Sequence, residues 1–176
     1  LLLGMSGVYR SLESGRDGRA GLWGGLLLFK PQYVVLLTLV LALKRRWRAL
    51  GGFAVSGAGL LLASVLAAGI DGIRAYLYLL VGAGAIDSNV LGINPAAMMT
   101  WRGVVVHLAP DTPDVVAGAV VALLTVLTAL AMVPVWRGEW LPGSSRFALQ
   151  MLATTAAGLL VSYHSHTHGA ALLVVP

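Results

Sequence analysis

Charge is what this chain has least of. Twelve basic and seven acidic residues among 176 make 11%, where an ordinary soluble domain carries roughly 25%. So thin a polar shell excludes a soluble globular domain, and it excludes a charged disordered tail as well. Cysteine is absent, which excludes a disulfide scaffold. The chain also lacks a Walker loop, a G-x-S-x-G elbow, a Rossmann glycine pattern and paired carboxylates within one motif.

What fills the chain instead is hydrocarbon. The apolar share is 58% and the mean hydropathy is +0.85, the composition of a multi-span helical membrane protein. The net charge of +5 would suggest nucleic acid in a soluble chain. Here the cations sit in short segments between apolar runs, Lys44-Arg45-Arg46 and Arg48 most clearly. Such segments hold loops on the cytoplasmic side, so no nucleic-acid partner is expected. The abrupt opening Leu1-Leu2-Leu3 and the apolar end Leu172 to Pro176 suggest a piece of a longer membrane protein.

The expected fold is all-α, a polytopic helical membrane domain over 1–176. Spans need about 20 apolar residues with charge at their flanks. Four regions meet this, at about 20–43, 49–70, 115–135 and 147–163, and they leave a long loop at 71–114. That loop carries Asp71, Asp87, Asp111 and Asp114 against Arg74 and Arg102, whereas the loops at 44–48 and 136–146 are basic. The sign difference puts 71–114 outside and the basic loops inside. Within the outer loop, Ile73 to Val81 and a stretch starting at Asn94-Pro95 are predicted to be short helices at the interface. Glycines such as Gly21 and Gly25, four apart, suit close helix packing.

The first span has an inconsistency. Arg10, Arg16 and Arg19 flank it on one side and the 44–48 cluster on the other, so both ends read as cytoplasmic. If Lys30-Pro31 breaks the helix, each arm has about 10 to 12 residues, roughly 15–18 Å. That suits a re-entrant pair of half-helices, tolerated where protein or a cavity surrounds the turn. A single Pro-kinked span is the alternative, and the sequence leaves both open.

Three groups of residues can carry chemistry. Lys30, with Gln32 beside it, lies inside an apolar run. A cation there needs an anion, a cavity, or the carbonyls freed next to Pro31. Trp101-Arg102 in the outer loop can stack and bind phosphate, though such pairs are common at interfaces. His164, His166 and His168 fall within five residues. Zinc accepts three imidazoles and a water, but on a helix His166 points away from the other two and no acid lies near to orient the rings. Hydrogen bonding to a polar or phosphorylated ligand fits better, with a plain interfacial stretch as its rival. No metal and no cofactor are expected.

The order of these features resembles glycosyltransferase family 87. The resemblance rests on Gly18-Arg19-Ala20-Gly21-Leu22 through Phe29-Lys30-Pro31-Gln32-Tyr33, followed by Lys44-Arg45-Arg46-Trp47-Arg48-Ala49. An outer-loop helix at Asn94 to Val104 and a polar last segment at Val161 to Pro176 continue it, from about Tyr9 onward. The family's last segment carries an Asp near the place of His168 or Gly169, and this chain has none there. The resemblance implies a GT-C-like fold in the inner (plasma) membrane. It implies transfer of a sugar from a polyprenyl-phosphate donor to an extracytoplasmic acceptor, with membrane lipid and that donor as partners. Lys30, Gln32, Arg102, His164, His166 and His168 are then the substrate-binding candidates. The catalytic residue is unknown, because the resemblance implies an acidic base upstream of Leu1. A non-catalytic helical subunit beside other membrane subunits is the rival reading. A transporter is disfavoured because Lys30 is the only charge deep in a span.

Overall fold

The computed structural model describes residues 1–82, 98–162, 165 and 167–176, with the side chains of all but 32, 80–82, 167 and 168. The regular elements described are helices, and the chain is an all-α membrane protein. It begins with α1 (Leu2–Glu13) and α2 (Asp17–Leu26), joined by a turn in which Gly15 has φ 69. Gly4 lies beside Leu27 and Gly7 against the Trp23 ring, so the two helices run antiparallel.

The first apolar region is two arms. After α2 come 3-10 turns at Leu27–Phe29 and Pro31–Tyr33, with Lys30 between them, and then α3 (Val35–Leu43). Proline cannot donate to the preceding turn and disfavours helix at the residue before it. Lys30 accordingly sits at φ −137, ψ 79. The arms of 10 and 9 residues are about 15 and 14 Å long.

Their direction is set by α4 (Trp47–Gly82). Gly18 lies beside Arg48 and Gly25 beside Ser56, so α2 and α4 run parallel and α3 must return between them. The Arg46 guanidinium meets the Asp17 carboxylate at 3.2 Å, which places the start of α2 and the end of α3 together. The segment thus enters and leaves at one end, and a single kinked span is not what forms. Close approach of α2 and α4 depends on glycine. A Cβ on Gly21 would run into the Ala49 carbonyl, and one on Gly52 into the carbonyl of Gly18.

Helical structure in α4 runs past residue 70 to Gly82, but Gly69 breaks it at φ 69, ψ 176. Among the described residues, its stretch Trp47–Leu79 and α6 (Asp114–Val135) are the two helices long and apolar enough to cross a membrane. Between them, α5 covers Trp101–Leu108, and α7 (Ser145–Val161) is a shorter apolar helix. A last 3-10 segment, Thr167–Val174, packs against α7 and α1.

The basic loops gather at one end of the molecule. Lys44 Nζ donates to Gly138 O at 2.8 Å, and Arg46 lies over the Trp140 ring, 4.7 Å from its centroid. Trp136, Trp140, Phe147 and Tyr9 pack beneath them, stacked in the Tyr9–Phe147 and Trp136–Trp140 pairs and edge-on where Phe147 meets the tryptophans, with ring centroids 5.1 to 6.5 Å apart. This is the basic end.

Candidate functional site

A buried polar junction forms where the two arms of the first apolar region turn. Tyr33 follows Pro31 in the second 3-10 turn, is only 5% exposed, and its hydroxyl shares a 2.9 Å hydrogen bond with Ser165 Oγ. Ser165 is 1% exposed and accepts from the Met99 backbone N–H through its own carbonyl at 2.8 Å. One serine therefore ties the arm turn to the segment just before α5. Gly169 closes the junction, since a Cβ there would press on both the Ser165 and Tyr33 hydroxyls.

Helix α5 starts from this junction. Thr100 is fully buried and its Oγ1 accepts from Gly103 N at 3.2 Å, an N-cap that fixes the first turn. Helix α5 begins at Trp101, with Met98 to Thr100 non-helical, and the Asn94-Pro95 start of the predicted helix lies outside the described residues. The helix packs on α6, where Trp101 Nε1 donates to Thr128 Oγ1 at 2.9 Å.

The depth of the junction follows from helix rise. Gln150 Nε2 donates to Val135 O at 2.7 Å, so these residues are level. Gly158 on α7, beside the Tyr33 carbonyl, is then about 12 Å above that level, and Thr128 on α6 about 10 Å above it. Asp114, the other end of α6, lies roughly 20 Å further on. The junction therefore falls inside the length of a helix able to cross a membrane.

The sequence candidates distribute around it. Lys30 is half-buried at the arm turn, three residues before Tyr33, and Arg102 is half-buried in the first turn of α5, two residues after Thr100. His168 adjoins Gly169 in the chain. The side chains of Gln32 and His168 lie outside the described residues, as do Tyr163, His164 and His166 altogether, and so do Asp87 and residues 94–97 of the outer loop. The three predicted segments are thus brought together through their backbones and through Tyr33 and Ser165. Sequence reasoning missed those two and Thr100. Among the described residues of 164–168, Ser165 is the one shown to make the contact. Tyr33 had one available signal, its place directly after the Lys-Pro-Gln run.

A cavity of about 340 Å³ opens beside α5, lined by Met98, Gly103, Val104, His107 and Leu108. Its Met98 and Gly103 flank Thr100 and Arg102 in the chain, while Lys30, Arg102, Tyr33 and Ser165 are not among its lining residues. The space is apolar apart from His107 and suits a hydrocarbon chain; a cation at its margin would add charge-assisted hydrogen bonds to an anionic head.

Neither the curated proteins nor the solved structures compared with this chain gave a match. The family model of glycosyltransferase family 87 matches residues 1–163. The match begins earlier than the resemblance read from Tyr9 onward, and it stops before His164. It includes the arm turn with Lys30, the basic loops and all of α5. The chain belongs to glycosyltransferase family 87 and is a membrane glycosyltransferase.

Proposed function

We propose that the enzyme takes its sugar from a polyprenyl-phosphate donor and passes it to an acceptor outside the cytoplasm, as a multi-pass protein of the inner (plasma) membrane. The observation that carries this reading is the Tyr33–Ser165–Met99 junction. It draws the Lys30, Arg102 and histidine segments together within the length of a crossing helix, where a lipid phosphate needs partners.

The chemistry is displacement at the anomeric carbon. The acceptor oxygen forms the new bond to that carbon, its proton goes to a carboxylate, and the bond to the donor phosphate oxygen breaks with its electron pair. The leaving group is then a lipid phosphate with one more negative charge. Lys30 and Arg102 supply cations to stabilise it, and a preorganised cation in a water-poor site counts for far more than one in water. The histidine run adds hydrogen bonds to the phosphate or the sugar. The carboxylate belongs to the first external loop by family resemblance and is none of the residues named here.

Lys30→Met tests the reading. It keeps the side-chain length and removes the charge, and methionine suits an apolar surrounding. Transfer measured in membranes with a polyprenyl-phosphate-sugar donor should fall by about one to three orders of magnitude, because a lost charged contact is worth about 1.5–3 kcal/mol or somewhat more when buried. Full activity in Lys30→Met would overturn the phosphate role.

A further inference from the structure

The basic end carries a second, separate feature, a slot between α3 and α6. It measures about 360 Å³ and shares no lining residue with the cavity beside α5. On α3 the lining residues are Leu36, Leu39, Val40 and Leu43, and Lys44 follows. On α6 they are Ala129, Met132 and Val133, with Trp136 capping the helix end and Arg137 following. Both sets have the same spacing, so each helix presents one apolar stripe of about 12 Å that ends in a cation.

The walls are dry. Thr154 of α7 forms the floor, and its hydroxyl is used twice, accepting from Trp136 Nε1 at 2.8 Å and donating to Gln150 O at 2.8 Å. The floor's hydroxyl proton is committed, so it offers water no donor, and an apolar slot of this kind suits hydrocarbon. Leu39, Leu43 and Val133 are 54, 73 and 46% exposed, so the slot opens sideways, toward the lipid around the protein.

The mouth is positive. Lys44 spends one of its three donors on Gly138 O, which leaves two. Arg146 Nη2 donates to Arg137 O at 2.9 Å and so brings a third cation to the same turn. Glu139 is the acid nearest in sequence, and among the described residues it forms no ion pair with Lys44, Arg137 or Arg146. A free anion would use the cations and leave the slot empty. A zwitterionic lipid would fill the slot without needing two cations at its end. An anionic lipid uses both.

We propose that one acyl chain of an anionic membrane phospholipid lies in the α3–α6 slot, with its phosphate between Lys44 and Arg137. The lipid bridges the returning arm to α6 and is distinct from any donor lipid at the Tyr33 junction. Charge complementarity at one end and matched apolar stripes along the rest together define it.

Native mass spectrometry of the full chain, released from nanodiscs of mixed phosphatidylglycerol and phosphatidylcholine, tests this. Wild type should retain phosphatidylglycerol over phosphatidylcholine by roughly 10- to 30-fold, as expected for two cations near a phosphate. K44Q/R137Q should lose most of that preference, whereas R10Q/R16Q, which removes as much charge on another face, should keep it. A129F fills the slot and spares the cations, so it too should lose the lipid, and soluble glycerol phosphate should not displace it from wild type. Equal retention of both lipids by wild type overturns the proposal, whatever the variants do. So does a K44Q/R137Q protein that keeps its phosphatidylglycerol. Retention by A129F, or displacement by glycerol phosphate, would mean a simple anion site or a contact between copies, and would overturn it as well.

Discussion

Tyr33 and Ser165 show how much of the candidate site depends on single hydroxyls. Their 2.9 Å bond is buried and joins residues 132 apart in sequence. Phenylalanine at 33 would leave Ser165 Oγ without that partner, and alanine at 165 would strand the tyrosine hydroxyl. Each change should cost about 1 to 2 kcal/mol, since a buried polar group without a partner pays its desolvation. The double variant Y33F/S165A should cost less than the two singles added, because it removes both groups at once. Thermal unfolding of the four proteins in detergent gives the cycle, and strict additivity would mean the bond contributes nothing. The Asp17–Arg46 pair is a second such case, with Asp17 Oδ2 bonded while Oδ1 is buried without a partner among the described residues. Asp17→Asn keeps the shape and removes the attraction. It should loosen the return of α3 and lower the melting temperature, whereas Asp71→Asn, whose ion pair with Arg74 is almost fully exposed, should do nothing measurable.

At the scale of elements, the packing of α2 on α4 depends on where a methyl group fits. Gly21→Ala places its Cβ on the Ala49 backbone carbonyl, which cannot move without moving the helix. Gly59→Ala, on the same α4, meets nothing within 4 Å and gains up to about 1 kcal/mol in helix propensity. Folded yield and melting temperature should fall for G21A and hold or rise for G59A; equal behaviour would show that the close approach is not needed. The four-residue spacing of Gly21 and Gly25 was a legible sign of such packing, but it names no partner helix. The break at Lys30-Pro31 was legible too, because proline and its predecessor constrain the backbone locally. The direction of the second arm was not, since flanking charges alone fit both a kink and a return. Long-range contacts decide it, Arg46 on Asp17 above all. The same limit applies at the junction. Lys30 and Arg102 stand out because cations are rare in apolar sequence, while Tyr33, Thr100 and Ser165 matter through contacts between distant segments that no local pattern encodes.

For the whole molecule, the order of the helices makes a prediction about sidedness. The turn at Ser14, the turn at Arg45 and the loop at Glu139 all belong to the basic end, where Lys44 meets Gly138 and Arg46 meets both Asp17 and Trp140. Asp111 precedes α6 and lies at that helix's other end. Were 20–43 one crossing helix, positions 14 and 45 would face opposite sides of the membrane. With the arm returning, they face the same side, and by the distribution of positive charge that side is the cytoplasm. The chain has no cysteine, and all four positions are exposed, so single cysteines at 14, 45, 111 and 139 can be labelled without background. In intact cells a membrane-impermeant maleimide should reach 111 and spare 14, 45 and 139. Permeabilised cells should label all four. Labelling of 14 but not 45 in intact cells would sink the returning arm, and reversed labelling of all four would invert the topology. In the inverted case Lys44 and Arg137 would face the outer leaflet, while the junction at Tyr33 would keep its depth within the membrane.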